Sequence, residues 1–219
     1  MARMARLVVP GYPHHVTQRG NRGQRTFFER SDYRKYLELI AKARRSADAA
    51  VWAYCLMPNH AHLIVVPGRE DSLQQLFAEA HRQYTRTINF RYGWRGHLWQ
   101  ERFYSCVMDE PHLLAAVRYV ELNPVEAKIC RCPEDWPWSS ARAHFAQRND
   151  LLVEVRPMLD LAGDWRTYLR AASSGTKLCS LRTHSRTGRP VGSDEFIDEL
   201  ERITGRSLKC KKPGRKKIE

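Results

Sequence analysis

Long apolar runs are missing from the chain. No stretch of the 219 residues reaches the roughly 18 apolar residues that a membrane-spanning helix requires, and the N-terminal run Leu7-Val8-Val9 is cut short by Pro10. A helical membrane protein and a secretory leader are therefore not expected, and the expected compartment is the cytoplasm. Cysteine is sparse: Cys55, Cys106, Cys130, Cys132, Cys179 and Cys210 are scattered, without the dense spacing of a disulfide framework. That usage fits a reducing compartment. Cys130 and Cys132 are followed by no second pair at finger spacing, which argues against structural zinc. No internal repeat is visible. With 42% apolar and 28% charged residues the chain is neither a collagen, nor a coiled-coil rod, nor wholly disordered, and it is long enough for one substantial core.

Acidic residues run short at the two ends. The net charge is +13, of which residues 1–30 carry +5 and residues 177–219 carry +6, leaving +2 for everything between. A nearly neutral body with two basic ends fits a nucleic-acid binder, because a polyanion is the partner that rewards such an excess. A basic protein with solvated tails is the plainer alternative.

Residues 14–19 are rich in β-formers and lead into a basic loop holding Arg19, Arg22 and Arg25. Ser31 is expected to cap a helix whose Tyr33, Tyr36, Leu37, Ile40 and Ala47 recur at helical spacing. Residues 51–57 and 60–66 read as two strands of a hairpin turning at Pro58-Asn59. A second helix starts at Ser72, carries Leu73, Leu76, Phe77, Ala80, Tyr84 and Ile88 on one stripe, and ends near Gly93. Residues 97–108 are β-prone, and Glu110-Pro111 opens a third helix that Pro124 ends or kinks. The order β-α-β-β-α-β-α, with strands this closely linked, implies an antiparallel sheet with helices on one face. Beyond it, 158–172 reads as a helix, 173–193 as a linker, and 194–204 as a short helix stopped by Gly205 in an otherwise basic tail.

Two groupings carry possible chemistry. His60 and His62 flank Ala61, and the period of two sends both imidazoles to one face of their strand, where they can share a divalent ion; alternatively they line a half-buried strand. Tyr119 lies at the edge of the third helix's apolar stripe (Leu113, Leu114, Val117, Val120), and Asn123 is one turn on along the same face. A tyrosine nucleophile beside an amide that can complete a metal site is one reading; ordinary helix packing is the other.

The combination decides between them. Met57-Pro58-Asn59-His60-Ala61-His62-Leu63-Ile64-Val65 together with Tyr119-Val120-Glu121-Leu122-Asn123-Pro124-Val125 closely resembles the single-tyrosine HUH transposases (IS200-like transposases), and within them the REP-associated tyrosine transposases, which act on repetitive extragenic palindromes. Further matching blocks are His15-Val16-Thr17-Gln18-Arg19-Gly20-Asn21-Arg22, Gly96-His97-Leu98-Trp99-Gln100-Glu101-Arg102-Phe103 and Trp138-Ser139-Ser140-Ala141, so the resemblance covers about residues 10–147. The family usually carries Arg and Gly in its Asn-Pro-Val-Arg-Ala-Gly stretch, where this chain has Glu126 and Lys128.

The resemblance implies an α+β fold, a ferredoxin-like α/β sandwich with an antiparallel sheet, over residues 1–147, followed by a helical extension at 148–176 and a basic C-terminal extension at 177–219. It implies that His60, His62 and Asn123 hold Mg2+ or Mn2+ and that Tyr119 attacks a phosphodiester, leaving a 5′-phosphotyrosine and a free 3′-OH. The expected partners are single-stranded DNA hairpins, either repetitive extragenic palindromes or transposon ends. The expected state is a monomer, with a dimer that exchanges tyrosine helices as the alternative. Arg19, Arg22, Arg82, Arg86 and Arg95 are candidate DNA contacts, and Arg189 and Arg215 candidate minor-groove hooks; Arg82 and Arg86 equally suit a solvated helix face. A chain cut before Ser173 is expected to bind DNA more weakly with a competent active site. The rivals are a hairpin-binding protein without catalysis and an RNA-binding module on the same sheet.

Overall fold

A computed structural model describes residues 5–171 and 187–209. Four strands, β1 (His14–Arg19), β2 (Ala49–Met57), β3 (His60–Pro67) and β4 (Tyr104–Val107), form one antiparallel sheet in the order β2-β3-β1-β4. The β2–β3 hairpin turns through Pro58-Asn59, with Met57 opposite His60 as its last pair. Of the β-prone stretch 97–108, only its end becomes strand. Leu98 and Gln100 instead bond to the backbone at Asn21 and Arg19, and Glu101 turns the chain with φ 54°.

One face of the sheet carries α1 (Arg30–Ser46) and α2 (Ser72–Tyr92). Val16, Val51, Leu56, Ala61, Leu63 and Val65 pack there against Tyr36, Ile40, Leu76, Phe77, Tyr84 and Ile88. The N-cap of α1 is Glu29 rather than Ser31, because Asp32 completes a capping box. Its carboxylate accepts from the Phe28 and Glu29 amides at 2.9 and 3.0 Å and pairs with Arg91 of α2 at 2.6 Å, locking the two helices together. Helix α2 ends at Gly93, whose φ of 63° reverses the chain in the left-handed region.

The opposite face is covered as well. Helix α3 (Glu110–Glu126) lays Leu113, Ala116, Val117 and Val120 on Ala53, Cys55, Met57 and Ile64. A bulge between Val51 and Ala53 shifts the β2 register. So α1 and α2 share one face as expected, whereas α3, expected beside them, makes a third layer on the other, because its apolar stripe covers the Ala53, Cys55, Met57 and Ile64 face that they leave open. Pro124 lies inside α3, which runs two residues further than expected. So near the end it forfeits only the one bond to the carbonyl of Val120.

The expected helix at 158–172 is broken into α5 (Arg156–Ala162) and α6 (Trp165–Arg170), following the short α4 (Ala141–Phe145). Gly163, at φ 68°, stops one and Asp164 caps the next by accepting from the Thr167 amide. Met158, Trp165, Tyr168 and Leu169 join the α3 core, so this stretch is part of the same body.

The C-terminal region corrects the sequence reading more strongly. Within residues 187–209, α7 (Asp194–Thr204), ended by Gly205 as expected and capped by Ser193, is no solvated tail. Leu200 and Leu208 close a small core with Leu7, Val9 and Val107. Val191 extends the sheet edge beside β4, its amide donating to Val107 (2.9 Å) and its carbonyl accepting from Asp109 (3.1 Å). High charge hid these apolar positions. A chain cut before Ser173 is therefore expected to lose stability as well as charge. Removing the two buried leucines alone costs roughly 3–6 kcal/mol, read as a lowered urea or thermal midpoint. An unchanged midpoint would refute this packing. Of the linker expected at 173–193, residues 173–186 lie outside the described residues, as does the basic stretch at 210–219, whereas Val191 is no linker residue because it is buried at the sheet edge. Among the described residues, no helix is long and apolar enough to cross a membrane.

Candidate active site

The site forms on the α3 face of the sheet. Strand alternation puts His60 and His62 on that face, with ring centroids 4.8 Å apart and edge to face. Register then does what the sequence could not show. In β1, His15 lies diagonal to His62, because Thr17 pairs with His62 and His15 with Ile64. Its Nε2 is 3.0 Å from His62 Nδ1, and the two rings stack at 5.2 Å. Tyr119, half-buried on α3, stands edge-on to both, 5.5 Å from the His62 ring and 6.4 Å from that of His15. Asn123 is buried one turn further along α3. Thus His60, His62 and Tyr119 come together as expected, and His15 joins them.

Tautomers follow from the partners. Asn59 Oδ1 can only accept, so at 2.6 Å the His60 Nδ1 carries the proton and its Nε2 holds a lone pair. Burial, aided by Arg19 opposite it, pushes the His60 pKa from 6.5 to about 4, so the ring is neutral at ordinary pH. A neutral imidazole oriented through its other nitrogen is the form that binds metals. Among the described residues no group of three or more His, Cys, Asp and Glu side chains is arranged to hold a metal ion. The pair therefore needs a donor of another kind, and the amide oxygen of Asn123 is a hard ligand of the type Mg2+ or Mn2+ accepts. In donor chemistry, two neutral imidazoles and an amide oxygen suit such an ion.

Helix α3 is fixed in rotation by a feature that the sequence concealed. Glu121, two residues after the tyrosine, is fully buried and accepts from Ser140 Oγ (2.5 Å), His144 Nδ1 (2.6 Å) and Trp165 Nε1 (3.1 Å). Three donors from two segments, α4 with its N-cap and α6, thus hold the tyrosine helix through one carboxylate. Nothing in a helical stripe signals this, because its donors lie at least 19 residues away.

The candidate DNA-contacting arginines are dispersed. Arg19 is exposed at the end of β1 opposite His60, Arg22 is exposed in the 3-10 turn Asn21–Gly23, and Arg95 is exposed in a loop. Arg86 is exposed on α2, and Arg82 is held by Glu79 at 2.7 and 3.0 Å. Arg189 donates to the Leu208 carbonyl at 2.8 Å, which gives it a structural task, and Arg215 lies outside the described residues.

Buried histidines also set the acid limit of the fold. His14 donates through Nδ1 to the Tyr12 carbonyl and accepts through Nε2 from the Val9 amide, so protonation would abolish an acceptor. Burial lowers its pKa from 6.5 to about 4, that of His15 to about 4 and that of His81 to about 3. A base whose folded pKa is depressed contributes stability above its unfolded value and loses it as pH falls toward the folded one. Each group costs about 1.4 kcal/mol per pH unit in that window, or about 4 kcal/mol for the three together. Against a usual total of about 5–15 kcal/mol, thermal melts should drop steeply as the pH falls from 6.5 toward about 4. A flat midpoint across that window would contradict this account.

The mixed sheet-and-helix fold with a tyrosine facing a histidine pair defines a class that comparison with known proteins identifies. Residues 10–123 match the family described as "Transposase IS200 like", and the chain belongs to that family. A curated relative, the REP-associated tyrosine transposase of Escherichia coli (strain K12), is 23% identical over 127 residues, covering 58% of this chain and 74% of its own. A solved structure of a REP-associated tyrosine transposase bound to a REP hairpin superimposes with a TM-score of 0.58 at 22% identity, covering 69% of this chain and 90% of the other. That likeness supports the fold.

Proposed function

We propose that this protein cleaves and rejoins hairpin-forming single-stranded DNA through Tyr119, with a divalent ion held by His60, His62 and Asn123. The observation that carries the reading is the approach of the Tyr119 ring to within 5.5 Å of His62 on a helix docked over the histidine strand. When bound, Mg2+ or Mn2+ would withdraw charge from the non-bridging oxygens of the scissile phosphate. For His62 Nε2 to serve as a ligand, the proton must sit on Nδ1 and His15 must accept it, so His15 acts as a positioning residue. Tyr119 Oη loses its proton as the Oη–P bond forms. The P–O3′ bond breaks, and the departing 3′ oxygen takes up a proton. Bond energy is conserved in the phosphotyrosine, so attack by a 3′-OH reseals the strand without ATP. Arg19, opposite His60 at the end of β1, is placed to meet the phosphate backbone beside the site.

The relatives include a transposase seen with a REP hairpin, and the basic ends of this chain suit such a polyanion. The test is incubation with single-stranded hairpin oligonucleotides and Mn2+, followed by a denaturing gel. A covalent protein–DNA band with release of the 3′-OH fragment supports the reading. Tight hairpin binding with no adduct under any divalent metal would replace it with recognition without cleavage.

A further inference from the structure

Helix α3 has to be held at one height and one rotation for Tyr119 to meet the histidine pair, and its apolar side does not supply that precision. The buried face of the helix is Ala115, Ala116, Val117 and Val120 beside Leu113, laid on Ala53 and Cys55 of β2. Short side chains interlock shallowly, so this packing tolerates small slides and turns that would carry the tyrosine out of reach. Buried polar partners do not tolerate them, because each bond lost leaves a desolvated group unmet.

Such partners grip α3 on three successive turns. The Tyr168 hydroxyl donates to the Leu114 carbonyl, Arg118 Nε donates to the Tyr168 carbonyl at 2.9 Å with its guanidinium 4.5 Å from the centre of the Tyr168 ring, and Trp165 Nε1 donates to Glu121 at 3.1 Å. All three bonds are made with α6. Helix α4 adds His144, whose ring stacks on Trp165 at 4.1 Å while its Nδ1 donates to the same Glu121 carboxylate at 2.6 Å. Ser140, at the N-cap of α4, closes the circuit back to the histidines. It donates to Glu121, its Oγ accepts from the Tyr54 amide at 3.0 Å, and its own amide donates to the Tyr54 carbonyl at 2.9 Å. Tyr54 precedes Cys55 on β2, and Cys55 is the strand partner of His62. One serine therefore refers the tyrosine helix to the same hairpin that carries His60 and His62.

We infer that Glu121 is a positioning residue of the strand-transfer reaction, and that α4 and α6 act through it to hold Tyr119 against the scissile phosphate. The inference rests on the proposed function and extends its machinery past residues 10–123, the span that matches the family, because α4 and α6 both lie beyond it. Two residues of helix turn by roughly 200°, so Glu121 anchors the back of α3 while Tyr119 works from the front. Asn123, one turn beyond Tyr119, is held by the same anchor. Glu121 is fully buried and acts only through the approach of the tyrosine. Tyr119 Oη has to lie in line with phosphorus as the P–O3′ bond breaks, and again as a 3′-OH displaces it from the phosphotyrosine, so a shift of α3 slows both directions.

The test is single-turnover cleavage of a hairpin oligonucleotide at saturating Mn2+ by the full chain carrying Glu121→Gln. The amide keeps the size and shape of the carboxylate but turns an N–H group toward a cluster made only of donors, so the helix has to shift. The rate of adduct formation should fall on the order of 100-fold, the effect of about 1 Å of misplacement. The final adduct fraction and the hairpin concentration giving half the maximal rate should stay those of the parent, because cleavage and resealing slow together and the DNA-binding surface is untouched. Tyr168→Phe, which removes only the hydroxyl bonded to Leu114, is the milder variant should the amide fail to fold. It should slow the same step on the order of fivefold with an unchanged final fraction. Leu200→Ala, in the small C-terminal core, lowers the melting midpoint and should leave the rate unaltered at a temperature below the melt. A parent-like rate in both Glu121→Gln and Tyr168→Phe, or a parent-like rate with a smaller reacting fraction, makes the cluster a support of the fold alone and overturns the inference, while the proposed function stands. Slowing by Leu200→Ala equal to that by Glu121→Gln overturns it too. Absence of any adduct from the parent sinks both.

Discussion

Tyr119→Phe should abolish strand cleavage while leaving hairpin binding nearly intact. The substitution removes one oxygen from a half-buried ring that stands edge-on to His62 and His15, and the ring itself can keep its place. Helix α3 carries no second hydroxyl or thiol that could attack the phosphodiester, and its neighbouring faces are occupied by core residues and by the buried Glu121. Deleting a covalent nucleophile lowers turnover on the order of 10⁵-fold, or about 7 kcal/mol of barrier. Single-turnover gels should show no adduct band, and anisotropy an unchanged affinity. An adduct formed by the phenylalanine variant would place the nucleophile elsewhere.

His60→Ala and His62→Ala are expected to remove metal-dependent cleavage, each by on the order of 10³-fold, since a metal contributes several kcal/mol of charge stabilisation to the transition state. Titration calorimetry with Mn2+ should lose its saturable heat in either variant, giving a readout independent of catalysis. His60 is the cleaner test: it is only half-buried, and its Nδ1 contact is to its neighbour Asn59. His62 is 3% exposed and stacked on His15, so its loss also disturbs packing, and its fold should be checked by melting. EDTA should silence the wild-type chain. Cleavage undiminished by EDTA would dismiss the metal site and leave Tyr119 acting with the positive field of Arg19 alone.

Each part of the site that depends on one element was legible in the amino-acid sequence. The period of two in His60-Ala61-His62, the one-turn spacing of Tyr119 and Asn123, the Pro58-Asn59 turn and the Gly205 end of α7 are short-range consequences of backbone geometry. They need no knowledge of what packs on them. Register and docking are different, because they are settled by the pairing of residues far apart in the chain. The β1–β3 register brings His15 to His62 across 47 residues, and Glu121 is gripped by donors up to 44 residues away. Whether α3 covers the second face of the sheet, and whether Leu200 and Leu208 bury themselves on Leu7 and Val9, likewise depends on which surfaces other elements leave uncovered. The sequence by itself singled out the tyrosine and the histidine pair; the tertiary structure decided that they meet and which third imidazole stacks against them, because only long-range packing fixes which side chains share a face.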